Sequence, residues 1–128
     1  MSRCVLDASA ILAVLRNEPG GEVLTDEVMA ESMASTVNLA EVQTAMVRQG
    51  VAPDEAWKRA GIPVSRVVAF SEDQARVAGS LVAETRALGL SLGDRACLAL
   101  ALELNAPVYT ADRSWKKLGL GVEVRVIR

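Results

Sequence analysis

The stretch CVLDASAILAVL, residues 4–15, is apolar or small at every position except Asp7 and Ser9. CVL reads as a short β run that stops at Asp7. SAILAVLRNE then continues with helical spacing at Ile11, Leu12 and Leu15, until Pro19-Gly20-Gly21 ends it. A strand that passes straight into a helix is the opening unit of an α/β chain. It also poses a physical problem. An ionised carboxylate does not enter an apolar interior cheaply; it must be paired, hydrogen-bonded, bound to a metal or protonated.

The same alternation runs to the end of the chain. GEVLTDEVMAES predicts a second helix with Val23, Leu24, Val28 and Met29 on one side, and SMAST a weak second strand. NLAEVQTAMVRQG predicts an amphipathic helix stopped at Gly50, and PDEAWKRAG a short helix with proline in its first turn. After Pro63, VSRVVAF reads as a strand and SEDQARVAGSLVAETRALG as one long helix, with Ser71 as its cap and acids in its first turn. SLGDRACLALALELNA predicts a further helix closed by Asn105-Ala106-Pro107. PVYT follows as a strand, ADRSWKKLG as a helical or turn segment, and VEVRVI as a final strand. No repeat or linker interrupts this order, so residues 1–128 are expected to form a single domain. Strands joined through helices require a parallel sheet covered on both faces. Sites in such sheets form beyond the carboxyl ends of the strands, near a switch in strand order.

Composition narrows the chemistry. With 51% apolar and 23% charged residues the chain is globular and can build a core without disulfide or metal staples. Aromatics are 3%, so that core must be aliphatic. A net charge of −2 gives no whole-molecule basic field, and contact with nucleic acid would need a local patch. The absence of histidine removes the commonest general base and the Ser–His and Cys–His nucleophile pairs. Cys4 and Cys97 each sit in an apolar run and read as buried thiols in a reducing compartment. The longest later apolar run, CLALALEL, is far short of a membrane span, and no cleavage signature follows the N-terminal stretch, which predicts a cytoplasmic protein.

Four acids fall where sites form. Asp7 closes the first strand and Asp112 stands just past PVYT. Glu41 is expected in the first turn of the helix after SMAST, and Asp94 in the first turn of the helix SLGDRACLALAL, although a helix rather than a strand precedes it. Capping explains each acid singly: Asn38-x-x-Glu41 and Ser91-x-x-Asp94 resemble capping boxes, Asp7 or Ser9 can cap the first helix, and Asp112 the turn before Trp115. Capping does not explain assembling four carboxylates in one place, where they repel and raise one another's pKa. A divalent cation does, and hard oxygen donors without histidine or cysteine suit Mg²⁺ or Mn²⁺.

VLDASAIL, STVNLAEV, LSLGDRACLALAL and PVYTADRSW, in that order and together spanning Cys4 to Trp115, resemble the PIN-domain ribonucleases, and in particular VapC-like toxins of toxin–antitoxin pairs. The resemblance implies a three-layer α/β fold with a five-stranded parallel sheet flanked by helices. It also implies an acidic pocket holding Mg²⁺ or Mn²⁺ through Asp7, Glu41, Asp94 and Asp112. Thr110 and Ser9 resemble supporting polar positions. Ser114 stands where some relatives carry another acid, which leaves open whether one cation or two binds. A VapB-like antitoxin, a homodimer and RNA rather than DNA as substrate are likewise implied by the resemblance alone.

The expected reaction is metal-assisted hydrolysis of a phosphodiester bond. Asp7, Asp94 and Asp112 are expected to meet the metal, and Glu41 to be a further ligand or to orient the attacking water. Without histidine, an acid–base route through the 2′-hydroxyl is disfavoured, so 5′-phosphate and 3′-hydroxyl ends are predicted. Arg113, Lys116 and Lys117 follow Asp112 and are candidates for flanking phosphates, against the simpler reading of a solvated face. Trp115 and Tyr109 are candidate base-stacking residues, against the simpler reading of packing. Leu24, Val28, Met29 and Trp57 read as surface apolar residues for a partner, or as cover for the sheet. The principal alternative is a PIN-like module that binds RNA or protein without cleaving. A phospho-acceptor signalling domain is a poor fit, because Asp7 has no acidic neighbour and the late strand ends in TADR.

Overall fold

Five short strands, all parallel, form one sheet in the computed structural model, which describes residues 3–128. They are β1 (Cys4–Leu6), β2 (Ser32–Ser35), β3 (Arg66–Val68), β4 (Val108–Thr110) and β5 (Val124–Val126), in the order β3-β2-β1-β4-β5. The central strand pairs Val5 with Met33 of β2 on one side and with Val108 of β4 on the other. The chain therefore leaves β1 in one direction for β2 and β3, and builds β4 and β5 in the other. The order reverses between β1 and β4.

Helices α1 (Ala8–Leu15), α2 (Asp26–Ala30), α3 (Thr36–Arg48), α4 (Pro53–Ala60), α5 (Glu72–Ser80), α6 (Val82–Thr85) and α7 (Leu92–Leu104) supply the crossovers. Alternation along β1 divides the core into two. Cys4 and Leu6 pack with Ile11 of α1, Leu39 and Val42 of α3 and Ala60 of α4. Val5 packs on the other face with Val108 and with Leu98 and Leu100 of α7. α7 is buried continuously from Ala96 to Ala101. Its small residues, Ala96, Cys97, Ala99 and Ala101, suit close approach to its neighbours. Asn105 ends it in the left-handed conformation, φ 49°. The expected three-layer, five-stranded parallel sheet is thus the observed fold, and both cysteines are buried free thiols.

Several local expectations are corrected. GEVLTDEVMAES is not one helix: a 3₁₀ turn at Gly21–Val23 precedes α2, because the Thr25 hydroxyl accepts the Val28 N–H and restarts the helix. SEDQARVAGSLVAETRALG breaks after Ser80 into α6 and a 3₁₀ turn at Arg86–Leu88. Gly79 weakens the helix there, and the Ser80 and Thr85 hydroxyls donate back to the Arg76 and Leu81 carbonyls. VSRVVAF keeps only Arg66–Val68 as strand, in register with Met33–Ser35 of β2. Leu24 is buried rather than on the surface, and Val28 and Met29 are half-buried, so of that group only Trp57 is exposed.

The fully buried Leu98 and the 73% exposed Ile62 give a stability test of this packing. Leu98→Ala is expected to lower unfolding free energy by about 2–5 kcal/mol through the lost burial and the cavity left behind. Ile62→Ala is expected to stay within about 0.5 kcal/mol of the parent. Urea titration followed by circular dichroism checks both.

Candidate active site

Asp7 emerges from β1 at the carboxyl edge, where the strand order reverses, and only 4% of its surface is exposed. It caps α1: its backbone is extended, and Oδ1 accepts the Ala10 N–H at 2.8 Å. Two hydroxyls complete its shell. Ser9 donates to Oδ1 at 2.7 Å, and Thr110, the last residue of β4, donates to Oδ2 at 2.6 Å. Each hydroxyl then accepts from the chain leaving β4. Ser9 Oγ takes the Ala111 N–H at 2.9 Å, and Thr110 Oγ1 takes the Asp112 N–H at 3.1 Å. One carboxylate thereby ties the exit of β1 to the exit of β4.

Glu41 and Asp94 come from the helices. The Ser91–Asp94 capping box is formed at the start of α7: Ser91 Oγ accepts the Asp94 N–H at 3.2 Å, and Asp94 Oδ2 accepts the Ser91 N–H at 3.0 Å. The Asn38–Glu41 box is not. Ser35 caps α3 and the helix begins at Thr36, so Glu41 lies in the second turn and Asn38 is inside the helix. The Asn38 side-chain amide instead donates to Glu41 Oε1 at 2.9 Å and to the Gly93 carbonyl at 3.0 Å. Gly93 is buried, and a Cβ there would overlap the Glu41 carboxyl group.

The electrostatics show which acids share a field. Burial pushes Asp7 up to about 6; its hydrogen bonds to Thr110, Ala10 and Ser9 oppose this, and the Asp94 charge adds to it. Burial also raises Glu41, against the Asn38 amide and with a contribution from Asp94. The fully buried Cys97 thiol is raised well above its ordinary value by desolvation, with smaller additions from Asp7, Asp94 and Glu41. Asp7 after β1, Glu41 on α3 and Asp94 on α7 thus lie near enough to share one electrostatic field, which also reaches Cys97. Asp112 joins differently. Its N–H is held by Thr110, but its own carboxylate turns to Ser114, accepting from the N–H at 2.9 Å and from Oγ at 2.7 Å.

The donors fit a hard divalent cation. They are carboxylate oxygens supported by hydroxyls, and none of the four acids forms an ion pair among the described residues. Among those residues no group of three acids or thiols is already gathered at metal-holding distance. An ion such as Mg²⁺, which retains waters, needs fewer protein ligands than a full cage.

The basic and aromatic candidates fare unevenly. Lys116 and Lys117 are exposed on the 3₁₀ turn Arg113–Lys117 that follows Asp112, whereas Arg113 Nε is engaged by the Arg128 carbonyl at 2.9 Å. Neither aromatic side chain is free to stack on a base. Trp115 is fully buried in the α7-side core, and Tyr109 is buried, with Arg125 5.5 Å from its ring centroid. Asn38 and Gly93 are absent from the sequence expectations. Asn38 was visible there only as a candidate cap, and the one signal at Gly93 was a poor helix former in the first turn of a strong helix.

The Asp7 shift predicts a pH dependence of stability. Unfolded, Asp7 titrates near 3.8; folded, near 6. Between those values the folded state holds a proton that the unfolded state releases, so this contribution falls as pH rises from about 4 to 6 and stays low above. In metal-free protein, Asp7→Asn is therefore expected to gain stability relative to the parent across that window, by on the order of 2–3 kcal/mol. Urea titrations of both proteins at pH 4.5 and 7.5 measure that difference.

Comparison with known proteins identifies the family and the fold. The PIN domain family profile matches residues 4–120. No curated protein sequence matches the chain. Among solved structures, the chain is similar to VapBC2 from Rickettsia felis bound to a promoter DNA fragment, at 20% identity and TM-score 0.74 over 98% of each chain. It is also similar to DNA-bound VapBC from Salmonella typhimurium, at 16% identity and TM-score 0.76 over 100% of each chain. A third is VapC20 from Mycobacterium tuberculosis, a Sarcin-Ricin loop cleaving toxin, at 18% identity and TM-score 0.71 over 94% of this chain and 98% of that one. At such identities the structural likeness establishes the fold, and the family profile establishes the lineage: the chain belongs to the PIN-domain family.

Proposed function

We propose that the chain is a Mg²⁺- or Mn²⁺-dependent endoribonuclease of the VapC toxin kind, acting as a single domain in the cytoplasm and restrained by a VapB-like antitoxin. The observation that carries this reading is that Asp7, Glu41 and Asp94 share one electrostatic field near the β1/β4 switch, with no cationic side chain paired to them among the described residues. Such a site is a sink for a metal ion and a poor one for RNA phosphates alone, since like charges repel. The neighbouring VapBC complexes and the Sarcin-Ricin loop cleaving VapC20 support RNA as substrate and an antitoxin as partner. No helix among the described residues is long and apolar enough to cross a membrane.

Asp7 and Asp94 would hold the ion, with Asp112 reaching it from the rim. When bound there, such an ion would supply positive charge for the phosphoryl oxygens and lower the pKa of a water molecule. Glu41, with Oε1 held by Asn38, keeps Oε2 to orient the attacking water. Ser9 and Thr110 hold Asp7 so that both of its oxygens keep their direction while substrate binds. Lys116 and Lys117 contact flanking phosphates and set the salt dependence of binding. Water attack on phosphorus leaves 5′-phosphate and 3′-hydroxyl ends.

For the antitoxin, a cavity of about 330 Å³ is lined by Val14 of α1, Met29 of α2 and Ile62, Pro63 and Val64 after α4. It opens at the amino edge of the sheet, opposite the acidic cluster, so an apolar segment seated there would have to continue along the length of α1 to bring an arginine to the carboxylates. A homodimer of the toxin is part of the same proposal.

Partner-free protein incubated with total cellular RNA is expected to give discrete fragments with Mg²⁺ or Mn²⁺ and none with EDTA. Asp7→Asn is expected to lose at least about a hundredfold in rate, since it removes a metal-facing charge. End-sequencing of the fragments identifies the substrate and tests the predicted termini. RNA bound but uncut in every metal would instead favour the non-cleaving module. Lys116→Ala/Lys117→Ala is expected to raise KM and flatten the salt dependence of binding by up to about two charges, with little change in kcat.

A further inference from the structure

Asn38 sits inside α3 with 1% of its surface exposed, and asparagine is a weak helix former there. Both hydrogens of its amide are used: one goes to Glu41 Oε1 on its own helix and the other to the Gly93 carbonyl of α7, 55 residues away. Turning the amide over would set its oxygen against those two acceptors, so its orientation is determined. In the orientation it adopts, Oδ1 is buried without a hydrogen-bond partner among the described residues. Packing alone does not call for this arrangement, since an apolar side chain would fill the space without stranding a polar atom. The two donated hydrogens are what Asn38 contributes. Gly93 supplies the complementary space: the Glu41 carboxyl group occupies the volume a Cβ there would need, one residue from Asp94.

The geometry points to Asn38 as a positioning residue that, with the space left by Gly93, locks the Glu41 carboxylate against the first turn of α7 and beside Asp94. This role rests on the metal-dependent reading of the site and goes beyond it. α3 and α7 are separate elements, and nothing in the helical geometry of either aims Glu41 at Asp94. The Asn38 bridge does so at both ends at once. Without it, Glu41 is free to rotate into solvent, and the cluster loses one of its three converging charges.

A double-mutant cycle read by Mn²⁺ affinity tests this, because a residue that acts through another has no effect once the other is gone. Asn38→Ala is expected to weaken Mn²⁺ binding about tenfold in the parent. In the Glu41→Gln background it is expected to change binding less than twofold. On an RNA that the parent cleaves, Asn38→Ala is expected to lower kcat with KM unchanged, and thermal melting should show the variant folded. Gly93→Ala, which evicts the Glu41 carboxyl, is expected to mimic Glu41→Gln and to be partly relieved by the shorter side chain of Glu41→Asp. An equal fall in both backgrounds, or none in the parent, overturns the positioning role. If the parent itself binds no Mn²⁺, the metal-dependent reading fails on its own account. Hydrogen exchange of the Asn38 side-chain amide still decides the bridge: faster exchange in Glu41→Ala than in the parent supports it, and an unchanged rate overturns it.

Discussion

Asp7 carries a negative charge into the centre of the sheet with no cation paired to it among the described residues, and the surrounding structure is arranged to tolerate that charge. Two hydroxyls and one backbone amide donate to it, each worth about 1.5–3 kcal/mol when the acceptor is charged. They do not fully offset desolvation, as the pKa near 6 records. What they achieve is placement. Because Ser9 lies in the first turn of α1 and Thr110 ends β4, holding Asp7 also fixes how β1, α1 and β4 meet. The sheet order reverses at that junction, the place where open α/β sheets build their sites.

Capping and site-building prove to be compatible uses of the same carboxylates. Asp7 caps α1, Asp94 completes the capping box of α7, and Asp112 caps the 3₁₀ turn after β4. A carboxylate offers about four lone-pair directions; Asp94 uses one on its cap, Asp112 two on Ser114 and Asp7 three, so each keeps at least one open. Each cap fixes the side chain to a helix terminus, whose dipole also favours the negative charge. Glu41 is the exception. It lies in the second turn of α3 with no cap to hold it, and it depends on a side-chain amide instead.

The parallel sheet was legible because the apolar triplet Cys4–Leu6, the break at Asp7 and the 3.6-residue spacing after it all point to one strand–helix unit, repeated along the chain. Asp7, Glu41, Asp94 and Asp112 stand out in the sequence for the same reason: each is expected at a strand exit or near a helix start, on one edge of the sheet; the Asp112 carboxylate, however, turns to Ser114. What stayed hidden depends on contacts between distant residues. The break near Leu81 follows from hydroxyls that turn back onto their own helix. The link from Asn38 to Gly93 crosses 55 residues and leaves no mark in local spacing. The Asn38-x-x-Glu41 spacing even suggested the wrong partnership, because Ser35 rather than Asn38 caps the helix.

The central claim is that the converging carboxylates form a cation site. Anomalous diffraction from a crystal of the partner-free protein grown with Mn²⁺ addresses it most directly. The account predicts a manganese peak between Asp7 and Asp94, within reach of Glu41 or of a water that it holds, and loss of that peak in Asp7→Asn. A fully occupied manganese peak elsewhere with none among these acids, or a lysine or arginine found paired with Asp7, would contradict it.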